Sequence, residues 1–319
     1  MDLATLLQFF PDGLRDVIVA SDVSDVMINA DGGVFVDKAA GLERVSGLSV
    51  SPRQISVVIE TIARHLGSDI NAKRPILDTR LPDGSRVAAV YNVANRAMTV
   101  TIRKFNRWFS TDELITSGSL TPFVRDSLVN AILGQNGDDA ANILVSGGTG
   151  AGKSTLAKAL LDHVPATDRL IVIEKPRELA ISHQNAVRWE AVDAAPGDSP
   201  VTVAQLLVAA LRHRPDRIII GEVREPASAY ELLQAMNTGH SGTLSTIHAD
   251  SAMDALHRLA DLALASHGNL THEFVRQQVA RTINYVVHVS RIGGRRRVTE
   301  CGVIRDRGKF EIERIYALN

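Results

Sequence analysis

The sequence predicts an α/β protein in two parts, a smaller α/β unit over residues 1–105 and a larger unit over 122–319 built on a parallel sheet. Alternation carries the second assignment: short aliphatic runs and helical patterns follow one another, as in strands joined by crossover helices. A hairpin signal followed by a well-capped helix carries the first. The length of 319 residues agrees, because a single core rarely grows that large.

In chain order, Val23 to Asn29 and Val34 to Asp37 are β-prone runs around Asp31-Gly32-Gly33, a hairpin turn. Ser51-Pro52-Arg53-Gln54 opens a helix with a capping box, and Ile55, Val58, Ile59, Ile62, Ala63 and Leu66 recur at helical spacing up to Gly67. Leu81-Pro82-Asp83-Gly84-Ser85-Arg86 is a turn between strands, and Ala97 to Lys104 alternates as a strand. Residues 106–121, including Trp108, carry no long period and are expected to link the two parts, with Ser110 and Glu113 able to cap one short helix.

Beyond Thr121-Pro122, strands are expected at Asn142 to Ser146, Leu170 to Glu174, Arg217 to Val223 and Thr243 to His248. Helices are expected over 153–162, 201–214, 226–237, 252–266 and 271–283. Tyr285 to Ile292, Gly293-Gly294 and Arg295 to Ile304 read as an antiparallel hairpin, with a last strand from Phe310 to Tyr316.

Composition narrows the function classes. Lys and Arg total 35 against 36 Asp and Glu, and aromatics are 4%; a duplex-DNA binder would carry a basic excess, and a single-strand binder more stacking rings. Direct sequence-specific nucleic-acid binding is therefore not expected. Cys301 stands alone, which removes an internal disulfide and a multi-cysteine zinc site. The apolar runs are strand-sized, and the first basic residue is Arg15, so neither a membrane span nor a signal-peptide n-region is read and a cytoplasmic location is expected.

Gly147, Gly148, Thr149, Gly150, Ala151, Gly152, Lys153 and Ser154 match G-x-x-x-x-G-K-[ST], with an aliphatic strand leading in and a helical run from Thr155 leading out. Glycines let successive N–H groups turn toward phosphate oxygens, and the helix N-terminus adds partial positive charge. Lys153 then reaches the β/γ-phosphates and the Ser154 hydroxyl ligates Mg²⁺. The residues expected to bind the nucleotide are these eight and Thr155.

Such a site needs carboxylates at neighbouring strand ends. Ile218-Ile219-Ile220-Gly221-Glu222 supplies one, with Glu where the commoner pattern has Asp; Leu170 to Glu174 supplies another, with Glu178 four residues on. The stretches Arg214-Pro215-Asp216-Arg217, Gly221-Glu222-Val223-Arg224, Met236 to Gly242 and Ser245-Thr246-Ile247-His248-Ala249 follow in order. Together with Leu81 to Val87 and Thr101-Ile102-Arg103-Lys104, the chain from about residue 23 to 290 resembles the secretion (traffic) ATPase superfamily of type II and type IV secretion, conjugation and type IV pili.

The resemblance implies a homo-hexameric, Mg²⁺-dependent ATP hydrolase with a PAS-like N-terminal domain, a RecA-like P-loop C-terminal domain and ATP between them. It implies catalytic roles for Glu178, Glu222, His248, Arg86 and Arg103. Glu178 would be the general base and Glu222 would orient Mg²⁺-bound water, with the reverse assignment open; Ser154 and Glu222 would form the metal site. His248 would sense phosphate, and Arg80, Arg86 or Arg103 would clamp the γ-phosphate. The closest likeness is to conjugal-transfer (Trb-type) ATPases, peripheral at the inner membrane and working with its secretion or conjugation machinery. A Tad/Flp or type IV pilus motor of the same superfamily is the alternative. Outside that superfamily, a RecA-like nucleic-acid motor and a non-hydrolysing ATP-binding scaffold are the rivals.

One departure stands out. The family's Ile-Glu-Asp is Ile173-Glu174-Lys175 here. A lysine facing the nucleotide would strengthen phosphate binding and weaken water activation; facing solvent it would do neither, and the second is expected. The histidines are not at metalloprotease spacing, His240 is either an interface coupler or a cap, and Arg295-Arg296-Arg297 is a solvated hairpin tip or a dock for anionic lipid.

Overall fold

The computed structural model describes residues 3–38, 41–95, 97–104, 109–134, 139–179, 181–194, 199–306 and 309–318. The chain divides into two compact units, Met1–Arg107 and Trp108–Asn319.

The first unit runs α1 (Leu3–Leu7), α2 (Asp12–Val19), β1 (Val23–Ile28), β2 (Gly33–Lys38), β3 (Gly41–Ser49), α3 (Pro52–His65), β4 (Ile76–Arg80), β5 (Arg86–Asn92) and β6 (Ala97–Arg103). Its strands form one antiparallel sheet in the order β3-β2-β1-β6-β5-β4. Alternation in β1 and β6 turns Val26, Ile28, Val100 and Ile102 inward, where they meet Ile55, Ile59 and Ile62 of α3. The expected capping box is present, with Ser51 accepting from the Gln54 amide. At the first hairpin the chain comes so close to Val50 that a Cβ on Gly32 would lie 2.1 Å from its carbonyl oxygen, at a φ of +85°.

The second unit runs α4 (Thr111–Thr116), α5 (Pro122–Leu133), β7 (Ile143–Gly147), α6 (Lys153–Leu161), β8 (Leu170–Glu174), β9 (Ala186–Glu190), α7 (Val203–Ala210), β10 (Arg217–Val223), α8 (Pro226–Asn237), β11 (Leu244–Ile247), α9 (Ala252–Ser266), α10 (His272–Thr282), β12 (Tyr285–Ile292), β13 (Arg295–Val303) and β14 (Glu313–Ala317). The sheet order is β14-β13-β12-β7-β11-β10-β8-β9, parallel from β12 to β9 and antiparallel at β13 and β14.

Both faces of the parallel part are buried, which explains the unbroken aliphatic runs. Leu144, Ile171, Ile173, Ile218 and Ile220 pack beneath α7 to α10 on one face. Ile143, Val145, Leu170, Val172 and Ile219 pack with α5 and α6 on the other.

Of the stretch expected to link the two parts, residues 109–121 are described, and they are more structured than a linker. Ser110 caps α4 with Glu113, Leu114 and Leu120 are buried in the core of the second face, and the Val298 amide donates to the Ser119 carbonyl at 2.8 Å. Two buried leucines six positions apart are too few to show a period, which is why the stretch reads as loose chain. Trp108 lies outside the described residues. No helix among the described residues is long and apolar enough to cross a membrane.

Candidate functional site

Four strand ends converge at the carboxyl edge of the parallel sheet, where α/β proteins place their ligands. The glycine loop follows β7, Glu174 ends β8 with Glu178 just beyond it, Glu222 is the last residue but one of β10 and His248 follows β11. Ser154, Glu174, Lys175, Glu178, Glu222 and Arg224 are among the residues that line one cavity.

The loop is built for close approach of a ligand to backbone. Gly147 and Gly152 sit at φ of +154° and +106°, and Gly148 and Gly150 have open space where a Cβ would project. A Cβ on Gly147 would come 2.3 Å from the Val289 carbonyl oxygen, so only glycine fits there. Gly152 is the N-cap of α6, which begins at Lys153. Ala151, Ser154 and Thr155 stand in the same turn and first helical turn.

Lys153 is 8% exposed and folds back over the loop, its Nζ donating to the carbonyls of Gly147 and Gly148 at 3.0 Å each. Its amine also lies 3.3 Å from His248 Nδ1. Burial lowers its pKa, with Glu222 opposing, Arg224 reinforcing and Glu178 opposing. An incoming anion would oppose that shift by favouring the charged form.

The acids divide by environment. Glu174 is 1% exposed, and its Oε1 accepts from the amides of Glu178 and Leu179 at 2.7 Å each. Its Oε2 lies 3.4 Å from an Arg188 amine. Burial pushes this carboxyl up, and the two amides and Arg188 pull it back. Glu174 therefore serves the backbone. Glu178 is the carboxylate left facing the loop, with Oε2 3.5 Å from the Ser154 hydroxyl, the outer limit of a hydrogen bond.

Glu222 stands between two basic groups. Its Oε2 accepts from Arg224 Nε at 2.8 Å. Its buried Oε1 is 2.7 Å from His248 Nε2 without the alignment of a hydrogen bond. Burial holds His248 below the ordinary imidazole value; Glu222 opposes this, and Lys153, Arg224 and Arg258 reinforce it.

Lys175, the departure from the family pattern, lines the same cavity, but its Nζ is engaged 2.7 Å from Asp193 and 3.6 Å from Glu225. Its charge is matched by two carboxylates that do not belong to the acid cluster. His240 bonds the Ala235 carbonyl and Thr238 hydroxyl at the end of α8, the geometry of a cap.

The expected clamp arginines belong to the first unit. Arg80, Arg86 and Arg103 are cross-strand neighbours on β4, β5 and β6, forming one row. Arg86 Nε donates to Asp78 at 2.7 Å and Arg103 Nε to Asp25 at 2.9 Å. Arg224 belongs to the cluster around Glu222, and the signal for it in the sequence is its place two residues past that acid, just beyond the end of β10.

A glycine loop at a helix N-terminus, faced by a lysine, a hydroxyl and carboxylates, has the construction of a phosphate-binding site. Comparison with known proteins agrees in kind. A family model described as Type II/IV secretion system protein matches residues 15–306. The conjugal transfer protein TrbB of Rhizobium radiobacter is 34% identical over 305 residues, 92% of this chain and 89% of that protein. The solved structure of the VirB11 ATPase from the Brucella suis type IV secretion system, in complex with sulphate, aligns over 96% of each chain at 28% identity and a TM-score of 0.51. The Legionella pneumophila ATPase DotB aligns over 94% of this chain and 83% of its own, at 21% identity and a TM-score of 0.67, a likeness of fold alone. The chain belongs to the type II/IV secretion system protein family.

Proposed function

We propose that this protein is a Mg²⁺-dependent ATP hydrolase that works as a hexameric ring and powers type IV secretion or conjugative transfer across the cell envelope. The observation that carries this reading is the convergence of Lys153, Ser154, Glu178, Glu222 and His248 at one sheet edge around the glycine loop. The match of nearly the full chain to a conjugal transfer protein supports the choice of machinery. In this reading the second unit is a RecA-like P-loop domain and the first a PAS-like domain. The protein works in the cytoplasm, peripherally at the inner membrane and against secretion or conjugation components.

The residues present fit the nucleotide and its metal. The open Cβ positions of Gly148 and Gly150 leave room for phosphate oxygens against backbone. Among the described residues no cluster of three His, Cys, Asp or Glu could hold an ion unaided. The donor set of Ser154 hydroxyl and Glu222 carboxylate instead suits a hard cation shared with phosphates. When bound, Mg²⁺ neutralises charge on the β/γ-phosphates.

Lys153 exchanges its two loop carbonyls for phosphate oxygens. Glu178 takes the proton from the attacking water, whose oxygen bonds the γ-phosphorus as the bond to the β/γ-bridging oxygen breaks, giving ADP and phosphate. Glu222 would hold the metal with Ser154, and it stands 2.7 Å from His248, which would register the γ-phosphate beside Lys153.

Phosphate release measured against protein concentration, alongside native mass, tests the ring. Turnover that rises with hexamer formation supports the reading; constant specific activity from monomer upward contradicts it.

A further inference from the structure

The arginine-rich hairpin does more than meet solvent. β12 runs beside β7 with Val289 opposite Gly147, and β13 returns past Gly293-Gly294. The pair touches the glycine loop at three points. Val289 closes the space at Gly147. The Arg296 stem covers Gly152, where a Cβ would lie 3.5 Å from its Cδ and 3.8 Å from its Cβ. Arg296 Nε donates to the Gly150 carbonyl at 2.8 Å.

That last bond reaches Lys153 through one peptide unit. In a trans peptide the C=O and the following N–H point in opposite directions. Holding the Gly150 carbonyl toward Arg296 therefore turns the Ala151 N–H the other way, where it donates to the Gly148 carbonyl at 3.3 Å. The Gly148 carbonyl also accepts from Lys153 Nζ. A cation on the carbonyl end of the Gly150–Ala151 peptide polarises it and strengthens the Ala151 N–H as a donor.

We propose that Arg296 is a positioning residue of the nucleotide site, orienting the Gly150–Ala151 peptide so that the Ala151 N–H, like Lys153, exchanges the Gly148 carbonyl for nucleotide phosphate. This rests on the ATPase reading above and deepens it. Arg296 acts on binding, for diphosphate and triphosphate alike, and leaves the chemical step to the acids. Arg295, exposed and paired across the hairpin with Ile292, shares its charge without its contact.

The test is titration calorimetry with Mg²⁺-ADP, together with KM and kcat for ATP, on wild type, Arg296→Ala, Arg296→Lys and Arg295→Ala. Losing one charge-assisted hydrogen bond raises the ADP Kd and the ATP KM of Arg296→Ala about tenfold. Its kcat stays within about twofold, as loss of uniform binding requires. Arg296→Lys, which keeps a charged donor, recovers most of the affinity, and Arg295→Ala binds as wild type does. Unchanged affinity in Arg296→Ala, an equal loss in Arg295→Ala, or a fall in kcat at constant KM overturns the proposal. Wild type that binds no ADP and releases no phosphate overturns the ATPase reading and this inference with it; wild type that binds beside an unaffected Arg296→Ala overturns this inference alone.

Discussion

The buried carboxylate of Glu174 holds the backbone of Glu178, accepting the Glu178 and Leu179 amides on one oxygen at 2.7 Å each. A carboxylate four residues upstream of the proposed base thus fixes where that base begins. Glu174→Ala orphans both amides, which costs about 1–3 kcal/mol for each buried donor left unpaired. Displacing Glu178 by about an ångström lowers turnover by up to about a hundredfold. Glu174→Gln keeps an acceptor oxygen and stays within about threefold of wild type in phosphate release. Equal turnover in all three proteins would show that Glu174 positions nothing.

Gly221 sets the other side of the same contact. A Cβ there would stand 3.0 Å from Glu174 Cγ and 3.4 Å from its Cβ. Gly221→Ala therefore pushes the Glu174 side chain off its two amides. Turnover falls by about tenfold or more while the strand persists, because alanine fits a strand backbone. A steady-state assay with a far-ultraviolet dichroism spectrum separates this from unfolding; full activity would contradict the packing argument.

Lys175→Asp changes turnover by less than about threefold, because exposed pairs such as Lys175–Asp193 contribute about 1 kcal/mol or less. The substitution sets three carboxylates side by side with Asp193 and Glu225, so its effect falls on thermal stability. A larger gain in kcat would place Lys175 at the nucleotide.

The loop is backed by a histidine whose protonation the fold resists. His288 is 4% exposed, with Nδ1 2.9 Å from the Ser146 hydroxyl and Nε2 2.9 Å from the Ser290 hydroxyl. Burial lowers its pKa; Glu300, Asp250 and Asp254 oppose that shift and Lys153 reinforces it. The unfolded chain therefore takes up this proton first. Stability is full above the unfolded value of 6.5 and is lost as pH falls from there toward the lower folded value. His248 contributes in the same direction. The urea midpoint falls between about pH 7 and about pH 5, and less steeply in His288→Gln. An equally steep fall in that variant would assign the slope to other groups.

Much of this was legible because the parallel strands are buried on both faces. Ile143 to Val145, Leu170 to Ile173 and Ile218 to Ile220 left continuous aliphatic runs, and the loop motif sat between one of them and a helix. The acids could be placed at strand ends, but their division could not. That Glu174 is enclosed while Glu178 faces Ser154 depends on the chain's path after β8. The strand β3 stayed invisible because most of its residues are exposed and show no alternation. Leu114 and Leu120 were too sparse to reveal that the stretch before α5 packs into a core. Arg296 could be placed on a hairpin tip, but its partner Gly150 lies 146 positions away, and no local pattern reports such a contact.

On the proposed reading, Glu178 and Glu222 turn an ATP-binding loop into a hydrolase. Phosphate release from Mg²⁺-ATP by wild type, Glu178→Gln and Glu222→Gln, with ATP binding measured on each, tests it most directly. Turnover is expected from wild type, with at least about a hundredfold less in either variant and ATP retained by Glu178→Gln. ATP bound by all three with no phosphate released by wild type would contradict it, leaving a nucleotide-stabilised scaffold in place of a motor.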